Sequence, residues 1–284
     1  MPHNDYILTL SCPDRTGIVF RVSGLLFELG CNILDSQQFG DEETGRFFLR
    51  VHFDLPPGCE EAVLLSRFGQ VADPYDMDWR IHNARRKARL LVMVSKQGHC
   101  LNDLLFRVQS GQLPAEIAAI VSNHDEYARL AQSYGIAFHH LPVTAETKLA
   151  QEKQVVALVE RENIDLVVLA RYMQILSPDM CRALAGRAIN IHHSFLPSFK
   201  GARPYHQAHH RGVKIIGATA HYVTADLDEG PIIEQDIERV DHTMTTQDLT
   251  QVGSDVESLV LSRAVRSHVE HRIILNGHKT VVFR

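Results

Sequence analysis

No stretch of about 18 uncharged apolar residues occurs in the 284-residue sequence, so nothing in it reads as a membrane-spanning helix. Positive charge is not in excess either: 29 Lys and Arg stand against 34 Asp and Glu, a formal net charge of −5 with His neutral. Such a chain has no overall attraction for phosphate backbones or anionic lipid, and neither nucleic acid nor a membrane is an expected partner. Cysteine is sparse: Cys12, Cys31, Cys59, Cys100 and Cys181 are scattered, odd in number and form no Cys-x-x-Cys pair. That argues against a disulfide framework and for a reducing compartment. The opening segment MPHNDYILTLSCPDR lacks the basic, apolar and small-residue succession of a secretory signal and is too acidic for a transit peptide, so a cytoplasmic location is expected. With 45% hydrophobic and 22% charged residues, the composition is that of a globular protein and excludes disorder, collagen-like repeats and coiled coil as the main architecture.

A length of 284 residues exceeds the roughly 100 to 200 of one domain, and the pattern changes once along the chain. Tyr6 to Cys12 alternate as a strand, the turn Pro13-Asp14-Arg15-Thr16-Gly17 follows, and Ile18, Val19, Val22, Leu25, Leu26 and Leu29 share one helical face ended by Gly30. Asn32 to Phe39 and Phe47 to Phe53 flank a polar turn as a hairpin, Glu60 to Phe68 reads as helix, and Trp79 to His82 as a last strand. The order βαββαβ is the split unit of ferredoxin-like folds. After the basic run NARRKAR (Asn83 to Arg89), short apolar strands (Leu90 to Val94, Ile117 to Val121, Leu166 to Leu169, Ile189 to Ile191) alternate with helical stretches such as Leu149 to Arg161. This predicts an α/β protein whose second domain is a doubly wound, mostly parallel sheet. The expected boundaries are residues 1–84 for the first domain, 85–88 for a linker and 89–284 for the second. A final helix from Asp255 to about His271 carries Val256, Leu259, Val260 and Val265 on one face, with Ser254 and Glu257 spaced as a capping box.

Histidine is abundant, with 17 in the chain; His192, His193, His206, His209, His210 and His221 lie between Asn190 and Tyr222. They make no HExxH arrangement, and the stretch holds no carboxylate or cysteine, so no metal site is expected there. A sharper constellation is AINIHHSFLPSFKG (Ala188 to Gly201) followed by HYVTADLDEGPII (His221 to Ile233). Asn190 and His192 share one side of a strand and project near its carboxyl end, where ligands bind open α/β sheets. An amide can donate to a developing oxyanion and an imidazole can exchange protons near neutral pH, which are the requirements of acyl chemistry. A carboxylate to orient the imidazole is then needed, and spacing leaves Asp226 and Asp228 as equal candidates.

These motifs resemble the formyltransferase family that uses 10-formyltetrahydrofolate, whose pattern is Asn-x-His at a strand end and an Asp in a Leu-Asp-x-Gly-Pro loop. The resemblance runs from about Arg89 to the end. It implies Asn190, His192 and Asp228 as a catalytic trio, with no cofactor beyond the folate substrate. The segment LARYMQILSP (Leu169 to Pro178) is similar to the family's folate-pocket loop and implies Met173, Gln174, Ile175 and Leu176 as substrate contacts. Family members that act on a nucleotide carry a Gly-rich, phosphate-holding turn after the first strand; here Val94 to Leu101 (VSKQGHCL) has one glycine, so a nucleotide acceptor is not expected. The first domain resembles an ACT domain, an amino-acid-sensing or dimerising module. That resemblance implies a homo-oligomer and an effector such as glycine or methionine, with Asp14, Arg15 and Asn32 as contacts. The combination implies hydrolysis of 10-formyltetrahydrofolate to tetrahydrofolate and formate, which feeds purine synthesis. Formyl transfer to a small amine, or folate sensing without turnover, are the alternatives.

Overall fold

The computed structural model describes residues 4–196 and 204–284. Contacts divide the chain into two compact units. In the first, β1 (Asn4–Pro13), α1 (Ile18–Glu28), β2 (Asn32–Asp41), β3 (Arg46–Leu55), α2 (Glu61–Ala72) and β4 (Asp78–Asn83) follow the βαββαβ order. The strands form an antiparallel sheet in the order β2-β3-β1-β4. Period-two alternation sends Tyr6, Leu8, Leu10 and Cys12 of β1 and Phe47, Leu49, Val51, Phe53 and Leu55 of β3 into one core with Ile18, Val22, Leu25 and Leu26 of α1. Val19, on the same predicted stripe, is exposed. Gly30 ends α1 at φ 72°, the left-handed conformation that glycine adopts without steric cost. There the amides of Gly30 and Cys31 donate to the carbonyls of Phe27 and Leu26, a Schellman closure.

Residues 84–87 connect β4 to the second unit. That unit comprises β5 (Ala88–Val94), α3 (His99–Gln109), β6 (Ala115–Ser122), α4 (Ala128–Ser133), β7 (Ala137–His140), α5 (Lys148–Arg161), β8 (Leu166–Leu169), α6 (Pro178–Ala183), β9 (Ala188–His192), α7 (Pro204–Arg211), β10 (Ile215–Tyr222), β11 (Ile232–Arg239) and α8 (Thr246–Val269). The seven-stranded order is β11-β10-β9-β8-β5-β6-β7. The strands from β9 to β7 are parallel, whereas β10 runs antiparallel to both β9 and β11. Leu166 to Leu169 are all buried, as expected for a parallel strand covered on both faces. From β5 the chain builds outward to β6 and β7, then returns to place β8 on the other side of β5. The crevice outside the carboxyl ends of β5 and β8 is therefore the topological switch point, where open α/β sheets bind ligands.

Two expectations are corrected. Helix α8 begins at Thr246, so Ser254 and Glu257 are interior residues: the Ser254 hydroxyl donates to the Thr250 carbonyl and Glu257 is 1% exposed. The capping box is Thr245 with Asp248, each side chain accepting from the other's backbone amide at 3.2 and 2.7 Å. The end of the chain also differs from the expected second domain. Glu270–Asn276 and Thr280–Arg284 pack with the first unit and contribute to the hairpin β12 (Ile273–Asn276) and β13 (Lys279–Val282). Arg50, 7% exposed, donates to the carbonyls of Glu270 and His271, and Asn276 donates to Asp41 at 2.6 Å.

Candidate functional site

Strand β9 ends beside the switch point, next to β8, and Asn190 and His192, two residues apart, project on the same side of it. His192 is 6% exposed, and its Nδ1 faces Asp228 Oδ2 at 3.3 Å. Nδ1–H directed at a carboxylate leaves the Nε2 lone pair to take a proton. Nε2 is buried and has no partner among the described residues. The open choice between the two aspartates is thereby resolved in geometry: Asp226 is exposed, and it is Asp228 that meets the imidazole.

The loop carrying Asp228 is held against β10. The Tyr222 amide donates to the Pro231 carbonyl at 2.9 Å, and Asp228 itself sits at φ 58°, a left-handed conformation that aspartate tolerates better than most residues. Gly230 has a Cα so close to β10 that a Cβ there would fall inside the van der Waals envelope of the Tyr222 carbonyl. Gly230→Ala is accordingly expected to displace the loop and move the Asp228 carboxylate off His192. A misplacement of about 1 Å can cost on the order of 100-fold in turnover, so steady-state kinetics on the folded variant check this; an unchanged kcat would refute it.

His221 joins the group through the antiparallel register that pairs it with Asn190 across β9 and β10. Its Nδ1 lies 2.9 Å from its neighbour Tyr222's carbonyl oxygen and so carries the proton; Nε2 then accepts from Asn190 Nδ2 at 3.2 Å. Burial holds the His221 imidazole below its ordinary value, outweighing the Tyr222 carbonyl and the Asp228 charge, and keeps it neutral. The Asp228 carboxyl is also held below its ordinary value, first by the hydrogen bond from His192, against the opposing effect of burial. The sequence alone leaves the role of His221 open, excluding only a metal site in its stretch. Its signal, an antiparallel partner 31 residues from Asn190, exists only once the register is known.

Asn190, His192, His221 and Asp228 line a cleft of about 220 Å³ together with a wall made by Met173, Gln174, Ile175 and Leu176. Leu176 is anchored in the core, while Met173 and Ile175 are 58% and 60% exposed and offer apolar surface to a flat ligand. Ser95, just past β5, fixes this wall: its hydroxyl accepts from the Met173 amide at 3.0 Å and donates to Asn123 at 2.7 Å. All four residues of the expected loop thus meet the trio at one cleft.

Elsewhere the placement is mixed. His206, His209 and His210 are exposed on α7. In the first unit, Asp14 and Arg15 occupy the turn after β1, and Arg15 already binds Asp76 at 3.2 Å and the Pro74 carbonyl at 3.3 Å. Asn32 begins β2, where it registers with Asp54 and so with the start of β1. It therefore lies at the far end of the sheet from Asp14 and Arg15, and one chain does not bring the three together. Outside the histidine-rich stretch, His99, Cys100 and Glu257 have donor atoms within 4.8 Å of one another. Arg171 and Tyr205 already occupy the Glu257 carboxylate, and burial drives the Cys100 thiol far above its ordinary value, so the trio is a poor cation ligand.

Comparison with known proteins identifies both parts of the chain. Residues 88–265 match the formyl transferase family model and residues 6–57 the ACT domain. Formyltetrahydrofolate deformylase of Corynebacterium sp. (strain P-1) is 50% identical over 281 residues, covering 98% of each chain. The crystal structure of formyltetrahydrofolate deformylase from Burkholderia mallei superposes with a TM-score of 0.95 at 51% identity, covering 100% of both chains. Glycinamide ribonucleotide transformylase 1 from Symbiobacterium toebii is more distant, with a TM-score of 0.67 and 29% identity over 72% of this chain and 97% of its own. An ACT domain joined to a formyl transferase domain, matched end to end by such relatives, makes this chain a member of the formyltetrahydrofolate deformylase family.

Proposed function

We propose that the chain hydrolyses 10-formyltetrahydrofolate to tetrahydrofolate and formate, using Asn190, His192 and Asp228. The observation that carries this reading is the His192–Asp228 pair at 3.3 Å, set with Asn190 in one cleft that Met173 to Leu176 also line. The pterin lies against that loop and presents its formyl carbon to the trio. Water attacks as His192 Nε2 takes one of its protons; Asp228 stabilises the imidazolium that forms. One hydrogen of the Asn190 amide is engaged by His221, and the other is aimed at the oxyanion. The tetrahedral intermediate collapses as His192 returns the proton to the departing folate nitrogen. Formate leaves, and its acidic proton passes to solvent. No residue beyond these is required, because the nitrogen of an anilide is weakly basic and departs once protonated.

In the same reading the enzyme is cytoplasmic and homo-oligomeric, supplies formate for purine synthesis, and is tuned by an amino acid, glycine or methionine, at the turn of Asp14 and Arg15. Coupling of this kind is worth about 1–3 kcal/mol, several-fold to roughly a hundredfold in affinity. One assay tests both levels: purified protein with 10-formyltetrahydrofolate, formate and tetrahydrofolate measured together, with and without each amino acid. Equal yields of the two products are expected. Absence of formate sinks the hydrolase, and indifference to both amino acids removes the effector.

A further inference from the structure

A second polar cluster adjoins the cleft through His193, whose ring stacks on His192 with centroids 4.8 Å apart. Arg171, 6% exposed and at φ 63°, donates from Nη1 to His193 Nδ1 at 2.7 Å and from Nε and Nη2 to Gln97 Oε1 at 2.8 and 2.5 Å. Its Nε also lies 3.4 Å from Glu257 Oε2. That oxygen meets His99 Nε2 at 2.6 Å, and Oε1 accepts from the Tyr205 hydroxyl at 2.5 Å. Burial opposes ionisation of Glu257, but the His99 hydrogen bond and the Arg171 charge, aided by the charge of His99 and by Tyr205, hold its carboxyl below the ordinary value. The cluster thus contains a cation and an anion, each bonded to several partners within it.

Its position gives it a consequence. Gln97 and His99 belong to the segment after β5, on one side of the switch point, and Arg171 follows β8 on the other. Any second substrate reaching a formyl group held at Asn190 and His192 along this edge needs room there and polar groups ready to bind it. The exposed Gln97 side chain and the half-buried His99 ring stand at this edge, with Gln97 Oε1 engaged by Arg171 and His99 Nε2 by Glu257.

Building on the hydrolase reading above, we propose that the Gln97, His99, Arg171, Glu257 and Tyr205 cluster determines the acceptor: it closes the amine approach and reserves the formyl carbon for water. In hydrolysis the water oxygen bonds to the formyl carbon and the folate nitrogen leaves with a proton. With an amine, nitrogen would form that bond, the same folate C–N bond would break, and the amine proton would pass to the leaving nitrogen. The cluster decides between these outcomes by which acceptor it admits, through both the space and the polar groups it leaves, and the chemistry of the trio is common to both.

The test is product partition. Wild type and a Gln97→Ala, His99→Ala double variant are incubated with 10-formyltetrahydrofolate and excess glycinamide, and formate and N-formylglycinamide are quantified after subtracting the uncatalysed reaction. The ratio of formylated amine to formate is expected to rise by about tenfold or more in the variant, because the discrimination is steric and polar at once. Tyr205→Phe and Gln97→Ala alone, which leave the Arg171–Glu257 pair intact, are assayed in parallel, and each is expected to raise the ratio more than about threefold. They decide the matter if circular dichroism shows the double variant unfolded. A general structural weakening lowers both products together and leaves the ratio unchanged. A smaller rise in the folded variants overturns the proposal. Failure of the wild type to release formate at all overturns instead the hydrolase reading on which it rests.

Discussion

Alanine in place of His192 is expected to lower formate release by about 100- to 10,000-fold, the range that general acid–base catalysis contributes. His192 is the one imidazole of the site with Nδ1 directed at a carboxylate and Nε2 unpartnered among the described residues. His193 and His221 have Nδ1 on Arg171 and on the Tyr222 carbonyl, so neither presents that nitrogen to Asp228. Asp228→Asn is expected to approach the same loss while keeping the shape, since a carboxamide can present an N–H to Nδ1, select the wrong tautomer and cannot stabilise the imidazolium. The pH behaviour follows from sign. Asp228 is held below its ordinary carboxyl value when folded, so its contribution to stability is fully present above the unfolded value and disappears as pH falls through the folded one. Denaturant titrations at a series of acidic pH values should therefore show a steeper acid loss in wild type than in Asp228→Asn. Turnover above one tenth of wild type in either variant, on folded protein, would remove these roles.

How far the sequence discloses this site depends on whether a feature is local. The pairing of Asn190 with His192 on one side of a strand needs only the period of two, and Gly30 after an apolar helical stripe needs only the backbone freedom of glycine. The choice of Asp228 over Asp226 is different, because loop side chains are aimed by backbone conformation: here φ 58° at Asp228 and the close approach of Gly230 to Tyr222. His221 depends on the register of an antiparallel strand, and the Arg171–Glu257 pair on packing between residues 86 positions apart. The Ser254–Glu257 spacing misleads because three residues apart describes helix interiors as well as helix starts, whereas Thr245 and Asp248 carry the same spacing at the true boundary. One further local signal marks the terminal hairpin: Asn276-Gly277, where Ile273–Asn276 turns toward Lys279–Val282, is the dipeptide preferred in tight hairpins.

Replacing Asn190 by alanine is expected to reduce kcat by about 100- to 1,000-fold with little change in KM, the signature of a donor that binds the transition state more strongly than the ground state. Two structural features make Asn190 preorganised. His221 is neutral because burial disfavours its charge, and with Nδ1–H spent on the Tyr222 carbonyl its Nε2 can only accept. The Asn190 amide must then turn Nδ2 toward His221, which fixes the plane in which the second N–H points. An oxyanion formed at that hydrogen meets a dipole already oriented. Asn190→Asp is expected to be worse than alanine, since a carboxylate would repel the oxyanion and face His221 Nε2 with two acceptors. His221→Ala should fall between wild type and Asn190→Ala, because the amide remains but is free to rotate. Steady-state kinetics on the three variants, with circular dichroism to establish folding, give the order. If His221→Ala is as active as wild type, the amide is not positioned by His221. If Asn190→Ala keeps more than about a tenth of the turnover, the oxyanion is stabilised elsewhere.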